Sequence, residues 1–139
     1  MKTNVNLLVT CMVLTSLSML TYSCKDKCDE AGTGGSFTIA AFPQHHTKPI
    51  VSQSNYVDSA FVKFNTSEFP GTSASDYDLV IAGEAGEEHV HIENLKCGDY
   101  FIYMTGFDTS INQRVTGGIP YSIAEDAPSE IDLNVPVTE

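Results

Sequence analysis

The amino-acid sequence predicts an all-β domain, a sandwich of seven strands, and three observations lead to that prediction. Short runs rich in Val, Ile, Phe and Tyr recur after residue 36, with turn residues between them, at spacings typical of a β-sandwich. Ten glycines and six prolines supply residues for the many turns that such a fold requires. No segment in this part of the chain has the apolar spacing of an amphipathic helix or of a heptad repeat.

The fourth of the seven predicted strands has the clearest pattern, because Val90 and Ile92 alternate with His89, His91 and Glu93. Successive side chains of a strand point to opposite faces of its sheet. We therefore expect a half-buried strand with Val90 and Ile92 in the core and both histidines facing outward. The seven predicted segments are 37–42, 58–64, 77–82, 88–93, 99–107, 115–124 and 131–137.

Residues 1–23 have the pattern of a secretion signal peptide, which is removed from the mature protein and is not part of the fold. Lys2 is the only charged residue before Cys24, and residues 5–20 are predominantly apolar. A membrane-spanning helix needs about 20 apolar residues, which is more than this segment offers.

The signal ends in residues 20–24, LTYSC, and this segment resembles the lipobox of bacterial lipoproteins. The resemblance implies cleavage before Cys24, acyl chains such as palmitate on the new N-terminal cysteine, and the membrane as a partner through this anchor. Lys25 stands at the position where an Asp retains some lipoproteins in the inner membrane. We therefore expect an anchor in the outer membrane, on either its periplasmic or its outer face. The alternative is cleavage nearby by the ordinary signal peptidase, which leaves Cys24 as a plain thiol.

We expect three parts: a lipoprotein signal peptide at 1–23, a lipid-anchored tether at 24–35 and a β-sandwich domain at 36–139. The tether is polar and glycine-rich, which is typical of a flexible connection. The whole chain has 7 basic and 18 acidic residues. Loss of the signal removes Lys2, so the formal net charge of the mature chain is 6 − 18 = −12. This charge excludes the large basic face that nucleic-acid binding requires.

Residues 90–108, VHIENLKCGDYFIYMTGFD, resemble the most recognisable element of transthyretin-like β-sandwiches. This group includes carboxypeptidase regulatory-like domains and collagen-adhesin B-type domains, and the resemblance covers residues 36–138. It implies that Leu95 fills the core, that Gly98 takes a turn and that Tyr100 opens the next core strand. It also implies that the fourth strand flanks the first.

The wider pattern is similar to that of small bacterial lipoproteins of unassigned function. The segments that carry this similarity are 45–46 (HH), 69–71 (FPG), 106–108 (GFD), 117–120 (GGIP) and 135–139 (VPVTE).

The sequence predicts that the protein is not an enzyme. One enzyme with a transthyretin-like fold, 5-hydroxyisourate hydrolase, ends in a Tyr-Arg-Gly-Ser tail, whereas this chain ends in Pro-Val-Thr-Glu. The chain has no Gly-x-Ser-x-Gly motif, and no Ser or Cys stands beside a His in a recognised nucleophile spacing.

All four histidines lie in two clusters, His45-His46 and His89-x-His91. Residues i and i+2 of a strand share one face, so His89 and His91 could chelate one ion. Because the transthyretin-like arrangement implies that the fourth strand flanks the first, all four imidazoles could converge on Zn²⁺ or Cu²⁺. The alternative is that His89 and His91 are solvated strand positions and that His45 and His46 decorate a turn.

Four cysteines are encoded, but Cys11 is lost with the signal and Cys24 is the predicted lipidation site. Cys28 and Cys97 remain as an even pair in an oxidising compartment. We expect a disulfide that fastens the tether to the turn between the fourth and fifth predicted strands, with two free thiols as the alternative.

These expectations combine into a lipid-anchored cell-envelope β-sandwich module that acts non-enzymatically, in binding or as an accessory to an envelope complex. Its partner in the envelope would be a protein or a glycan, and no nucleic acid and no cofactor are expected. The alternative function is a metal-binding lipoprotein that holds Zn or Cu with His45, His46, His89 and His91.

Overall fold

The structure, a computed structural model, describes Cys28 and residues 30–139. The predicted signal peptide, the predicted lipidation site Cys24 and part of the predicted tether lie outside these residues. Among the described residues, no helix is long and apolar enough to cross a membrane.

The all-β prediction is confirmed: the described chain forms eight strands and one 3₁₀ turn at Ala74–Asp76. Seven of the strands correspond to the seven predicted segments. The strands are β1 (Thr33–His45), β2 (Lys48–Pro49), β3 (Ser59–Phe64), β4 (Leu79–Ala82), β5 (Val90–Leu95), β6 (Gly98–Asp108), β7 (Gln113–Ile123) and β8 (Glu130–Pro136).

The additional strand, β2, lies where the sequence predicts only a turn. His46 and Thr47 both have positive φ angles, 49° and 66°, which is the backbone of a two-residue type I′ hairpin turn. The chain therefore reverses within two residues, and Lys48 pairs with His45.

The strands form two sheets. In one sheet, β1 pairs antiparallel with β5 and parallel with β8, and it forms the short hairpin with β2. The other sheet has the order β4-β3-β6-β7, with all neighbours antiparallel. The fourth predicted strand, β5, thus flanks the first, as expected.

The main core fills the space between the two sheets, and the alternation of each strand explains it. In β8 every second residue is buried, at Ile131, Leu133 and Val135, while the residues between them are exposed. The residues of β5 that are predicted to face the core, Val90 and Ile92, are 1% and 0% exposed. A second, smaller cluster is separate from this core and consists of the aromatic residues Tyr77, Phe101 and Tyr103.

The turn between β5 and β6 has the residue roles that the sequence implies. Leu95 and Tyr100 are fully buried, and Gly98 adopts a φ of 139°, a conformation that side chains rarely allow. The Tyr100 hydroxyl accepts a hydrogen bond from the Gly32 N–H at 3.0 Å and donates one to the Lys96 carbonyl at 2.7 Å. This one hydroxyl therefore joins the start of the folded chain to the turn.

The predicted boundary between tether and domain, at residue 36, is too late. β1 begins at Thr33, and Ala31 is buried, with its N–H donating to the Asn65 side chain at 2.8 Å. The Cys28–Cys97 disulfide is present, with Cα atoms 5.4 Å apart. The second half of the predicted tether is thus part of the folded domain, because the bridge, the Tyr100 hydroxyl and Asn65 all hold it.

Candidate metal centre

His45 is the last residue of β1 and lies at the end of the sandwich opposite the β5–β6 turn. Buried positions alternate along β1 at Ile39, Ala41, Pro43 and His45, so the imidazole points to the core side of its sheet. Its side chain is 5% exposed. A buried imidazole at the edge of an apolar core requires polar partners, and two carboxylates provide them.

The two ring nitrogens of His45 contact two different acidic residues. Nδ1 lies 2.7 Å from an Asp108 carboxylate oxygen, and Nε2 lies 3.0 Å from a Glu139 carboxylate oxygen. Asp108 is the last residue of β6. These contacts join β1 of one sheet to β6 of the other and to the C-terminal residue.

The C-terminal segment reaches His45 by crossing from one sheet to the other. Val137 donates its N–H to the Gln44 carbonyl at 2.9 Å, and Thr138 exchanges backbone hydrogen bonds with Thr116 of β7. Gly117 permits this approach, because a Cβ there would overlap the Pro136 carbonyl oxygen. Backbone hydrogen bonds therefore hold the chain in place as far as Thr138, and this positions Glu139, the next residue.

The two carboxylates change the acid–base properties of the site. The pKa of His45 is raised, mainly by its hydrogen bond to Asp108 and further by Glu139, against an opposing effect of burial. The pKa of Asp108 is lowered to about 2, first by the Ser110 hydroxyl and then by His45. Without a metal, the cluster favours a charged imidazolium held between two carboxylates.

His46 completes a set of three ligands. The type I′ turn holds it in the left-handed region and places its ring centroid 4.2 Å from that of His45. One ligand atom each from His45, His46 and Glu139 lies within 4.8 Å of the others, and no other group of three such side chains among the described residues comes this close. Two imidazole nitrogens and one carboxylate oxygen are donors that suit Zn²⁺ or Cu²⁺.

Asp108 would orient the His45 ring through a hydrogen bond to the nitrogen that does not face the ion. Metal-bound histidines commonly donate their second ring N–H to a carboxylate, which fixes the ring and makes it a better ligand. The 2.7 Å contact between Asp108 and His45 Nδ1 has this arrangement and leaves Nε2 for the ion. A cavity of about 310 Å³ beside His45 and His46 offers an ion and its water molecules a route to both rings.

The other two histidines are not part of this cluster. His91 lies on the outer face of β5 and is paired with Ala40, and His89 directly precedes β5, with its Nε2 atom 3.0 Å from that of His91. His45 lies five residues further along β1 and on its core face, so strand adjacency does not bring the two pairs together. The structure separates the four histidines into two sites on opposite faces of one sheet.

Sequence reasoning missed Asp108 and Glu139. They lie in the segments 106–108 and 135–139, and their contacts with His45 span 63 and 94 residues of sequence. Only the paired strands show that these three residues meet.

A third acidic residue, Asp58, is buried at the same end of the sandwich without a partner. Its side chain is 1% exposed, and neither carboxylate oxygen has a well-aligned hydrogen-bond partner, although the nearby Phe107 backbone N–H partly offsets the effect of burial on its pKa. Burial raises the pKa of Asp58 to about 6. This group costs stability when it is ionised.

Comparisons with protein-family models, curated proteins and solved structures found no match to this chain. The function is therefore argued from the geometry of the described residues.

Proposed function

We propose that the chain is a lipid-anchored, non-enzymatic binding module of the cell envelope, built on a transthyretin-like sandwich, and that its ligand is Zn²⁺ or Cu²⁺. The order of strands supports the fold: β5 and β8 flank β1 in one sheet, and β4-β3-β6-β7 form the other. The Leu95, Gly98 and Tyr100 corner supports it further, since each residue has the role that the resemblance implies.

The position of the disulfide fits an anchor at Cys24. Four residues of chain span at most about 14 Å, so acylation of Cys24 would hold Cys28 and the β5–β6 turn close to the membrane. β1 then runs away from this end from Phe37, which pairs with Leu95, to His45, about 26 Å at the rise of a strand. The anchor would present His45 and its neighbours at the membrane-distal end of the domain, where a ligand from the envelope can reach them.

The single observation that favours a metal ligand is the cluster of His45, His46 and Glu139, with Asp108 behind His45. Three donors of two types lie close together, two of them, His45 and His46, line a cavity, and Asp108 orients His45. The second candidate ligand is a glycan or an envelope protein, which an accessory role in an envelope complex would require. Removal of metal distinguishes this candidate from a metal ligand.

Thermal unfolding of metal-free protein tests the metal proposal. A ligand that binds only the folded state stabilises it by about 2.7 kcal/mol at a hundredfold excess over Kd, so Zn²⁺ or Cu²⁺ should raise the Tm by several degrees. His46→Ala should remove this gain, and so should acidification to pH 5, because protons compete for the imidazoles. No rise in Tm with either ion would mean that the cluster is a structural imidazolium contact and no metal site.

The anchor is tested separately, in cells. Cys24→Ala should abolish acyl labelling and release the protein in soluble form, whereas Cys11→Ala should leave both labelling and membrane association unchanged. Membrane association of the Cys24→Ala protein would contradict the anchor.

A further inference from the structure

His89 and His91 form a second pair of imidazoles, which the cluster of His45, His46 and Glu139 (the distal cluster) does not use. His91 lies on the outer face of β5 and is exposed, whereas His89 directly precedes the strand and is half-buried. The His89 ring packs on Phe42 with centroids 5.1 Å apart, which restricts its rotation. The Nε2 atoms of the two rings are 3.0 Å apart, so both nitrogens face the same small volume outside the sheet.

The contact between the two rings keeps a lone pair available. At 3.0 Å one Nε2 donates a hydrogen bond to the other, so one nitrogen carries the proton and the other presents its lone pair. Two protonated Nε2 atoms would point their hydrogens at each other. A metal ion would replace the single shared proton and bind both nitrogens, because a ligating imidazole must be neutral.

The separation of these nitrogens fits two neighbouring ligands of one ion. Metal–imidazole bonds are about 2.0–2.1 Å, and at that length two nitrogens 3.0 Å apart subtend about 94° at the ion. This angle is close to the right angle between neighbouring ligands of square-planar Cu²⁺ and smaller than the tetrahedral angle that Zn²⁺ prefers. Cu²⁺ also binds a given set of ligands more tightly than the other divalent ions of its row.

The pair stands on one wall of an open trough of about 400 Å³ on the outer face of the sheet. Ala40 of β1 pairs with His91 on one side and with Asp132 of β8 on the other. Its short side chain leaves the middle of the trough open, and Glu130 and Asp132 line the opposite wall. The described residues that line the trough include no lysine or arginine. The trough therefore favours a cation and leaves room for water beside the two imidazoles.

We propose that His89 and His91 of one chain bind a single Cu²⁺, with water molecules in the remaining coordination positions. The proposal goes beyond the proposed function and does not depend on metal binding at the distal cluster, where His45 points to the core side of the same sheet. Because only two protein ligands hold the ion and His91 is exposed, the copper should exchange with chelators in solution.

Copper titration followed by electron paramagnetic resonance tests the proposal. The protein is the mature chain, which contains every described strand, with Cys24→Ser and His46→Ala, so that neither the anchor nor the complete distal ligand set contributes. Cu²⁺ should saturate at one ion per chain, with a spectrum of two nitrogen ligands, and EDTA should remove it.

Variants of the pair and a control variant complete the experiment. His89→Ala and His91→Ala should each weaken Cu²⁺ binding by about a hundredfold, because loss of one ligand also removes the gain from holding two ligands side by side. Glu125→Ala, at an exposed position away from the trough, should bind copper as before. His91 is exposed, so its substitution should leave the fold intact, and thermal unfolding without metal checks this.

Three results would overturn the proposal: copper bound equally by the His91→Ala protein, a spectrum with a single nitrogen ligand, or saturation at half an ion per chain. None of these results bears on the proposed function, because the His46→Ala background lacks the distal ligand set. In the thermal test of the distal cluster Zn²⁺ separates the two sites, since its tetrahedral preference fits the pair of His89 and His91 poorly.

Discussion

The two ends of the sandwich differ in how their polar groups are satisfied. At the β5–β6 turn, a disulfide, a buried tyrosine hydroxyl with two backbone partners and a fully buried Leu95 lock the chain in place. At the opposite end, His45 lies between two carboxylates that raise its pKa, and the carboxylate oxygens of the buried Asp58 have no well-aligned hydrogen-bond partner. The first end contributes stability, whereas the second retains the Asp58 carboxylate, which costs stability when it is ionised, and the cluster that we propose as a metal site. The following predictions test this contrast, from the largest expected effect to the smallest.

Loss of the disulfide should have the largest effect. The bridge closes a loop with a sequence separation of 69 residues, and the chain-entropy model gives about 4 kcal/mol for a loop of this length. Cys28→Ser combined with Cys97→Ser should lower the free energy of unfolding in urea by about that amount. A change below about 1 kcal/mol would mean that the hydrogen bonds to Tyr100 and Asn65 hold the start of the chain without the bridge.

Leu95→Ala removes the apolar side chain that fills the same end of the core. Large-to-small substitutions at fully buried positions cost about 2–5 kcal/mol, and Leu95 is 0% exposed. Thr72→Ala, at an exposed loop position, is the matched control and should change the free energy of unfolding by less than about 0.5 kcal/mol. Equal effects of the two substitutions would contradict the assignment of Leu95 to the core.

Asp58→Asn should act in the opposite direction and stabilise the protein at neutral pH. The pKa of Asp58 is raised from 3.8 to about 6 in the folded state, so its stabilising contribution is full below pH 3.8 and is lost as the pH rises through 6. One pKa unit corresponds to about 1.4 kcal/mol, which gives a gain of up to about 3 kcal/mol for Asn at pH 7.5.

The pH dependence of that gain is the decisive part of the measurement. Urea unfolding at pH 4.5 should show a much smaller difference between Asp58→Asn and the unchanged protein, because Asp58 is then largely protonated. The exposed Asp126→Asn should show no such dependence. An equal gain in the free energy of unfolding at both pH values would mean that the charge of Asp58 does not destabilise the folded protein.

Sequence patterns predicted the end of the sandwich at the β5–β6 turn much better than the opposite end at His45, and the reason is physical. The resemblance to transthyretin-like domains implied the roles of Leu95, Gly98 and Tyr100, and it could do so because these residues lie within six residues of one another and form a local motif. The alternation of Val90 and Ile92 with His89 and His91 likewise fixes which face each side chain occupies, because a strand has only two faces.

The distal cluster depends on contacts that no local pattern contains. Asp108 and Glu139 reach His45 only because β6 and the C-terminal segment end where β1 ends. Strand adjacency alone does not decide between the two alternatives for the four histidines, because it does not determine the face: His45 continues the inward series of Ile39 and Ala41, whereas His89 and His91 point outward. The extended β1 was also missed, since the turn and the disulfide, rather than apolar periodicity, hold residues 31–35.

The distal cluster as a metal centre is the central claim, and a crystal of the mature protein grown with Zn²⁺ tests it most directly. Diffraction data collected on both sides of the zinc absorption edge should show an anomalous peak about 2.0–2.1 Å from His45 Nε2, with His46 and Glu139 as further ligands and Asp108 still on Nδ1. A structure at saturating Zn²⁺ with no peak there, and with the 3.0 Å contact between His45 and Glu139 intact, would contradict the claim.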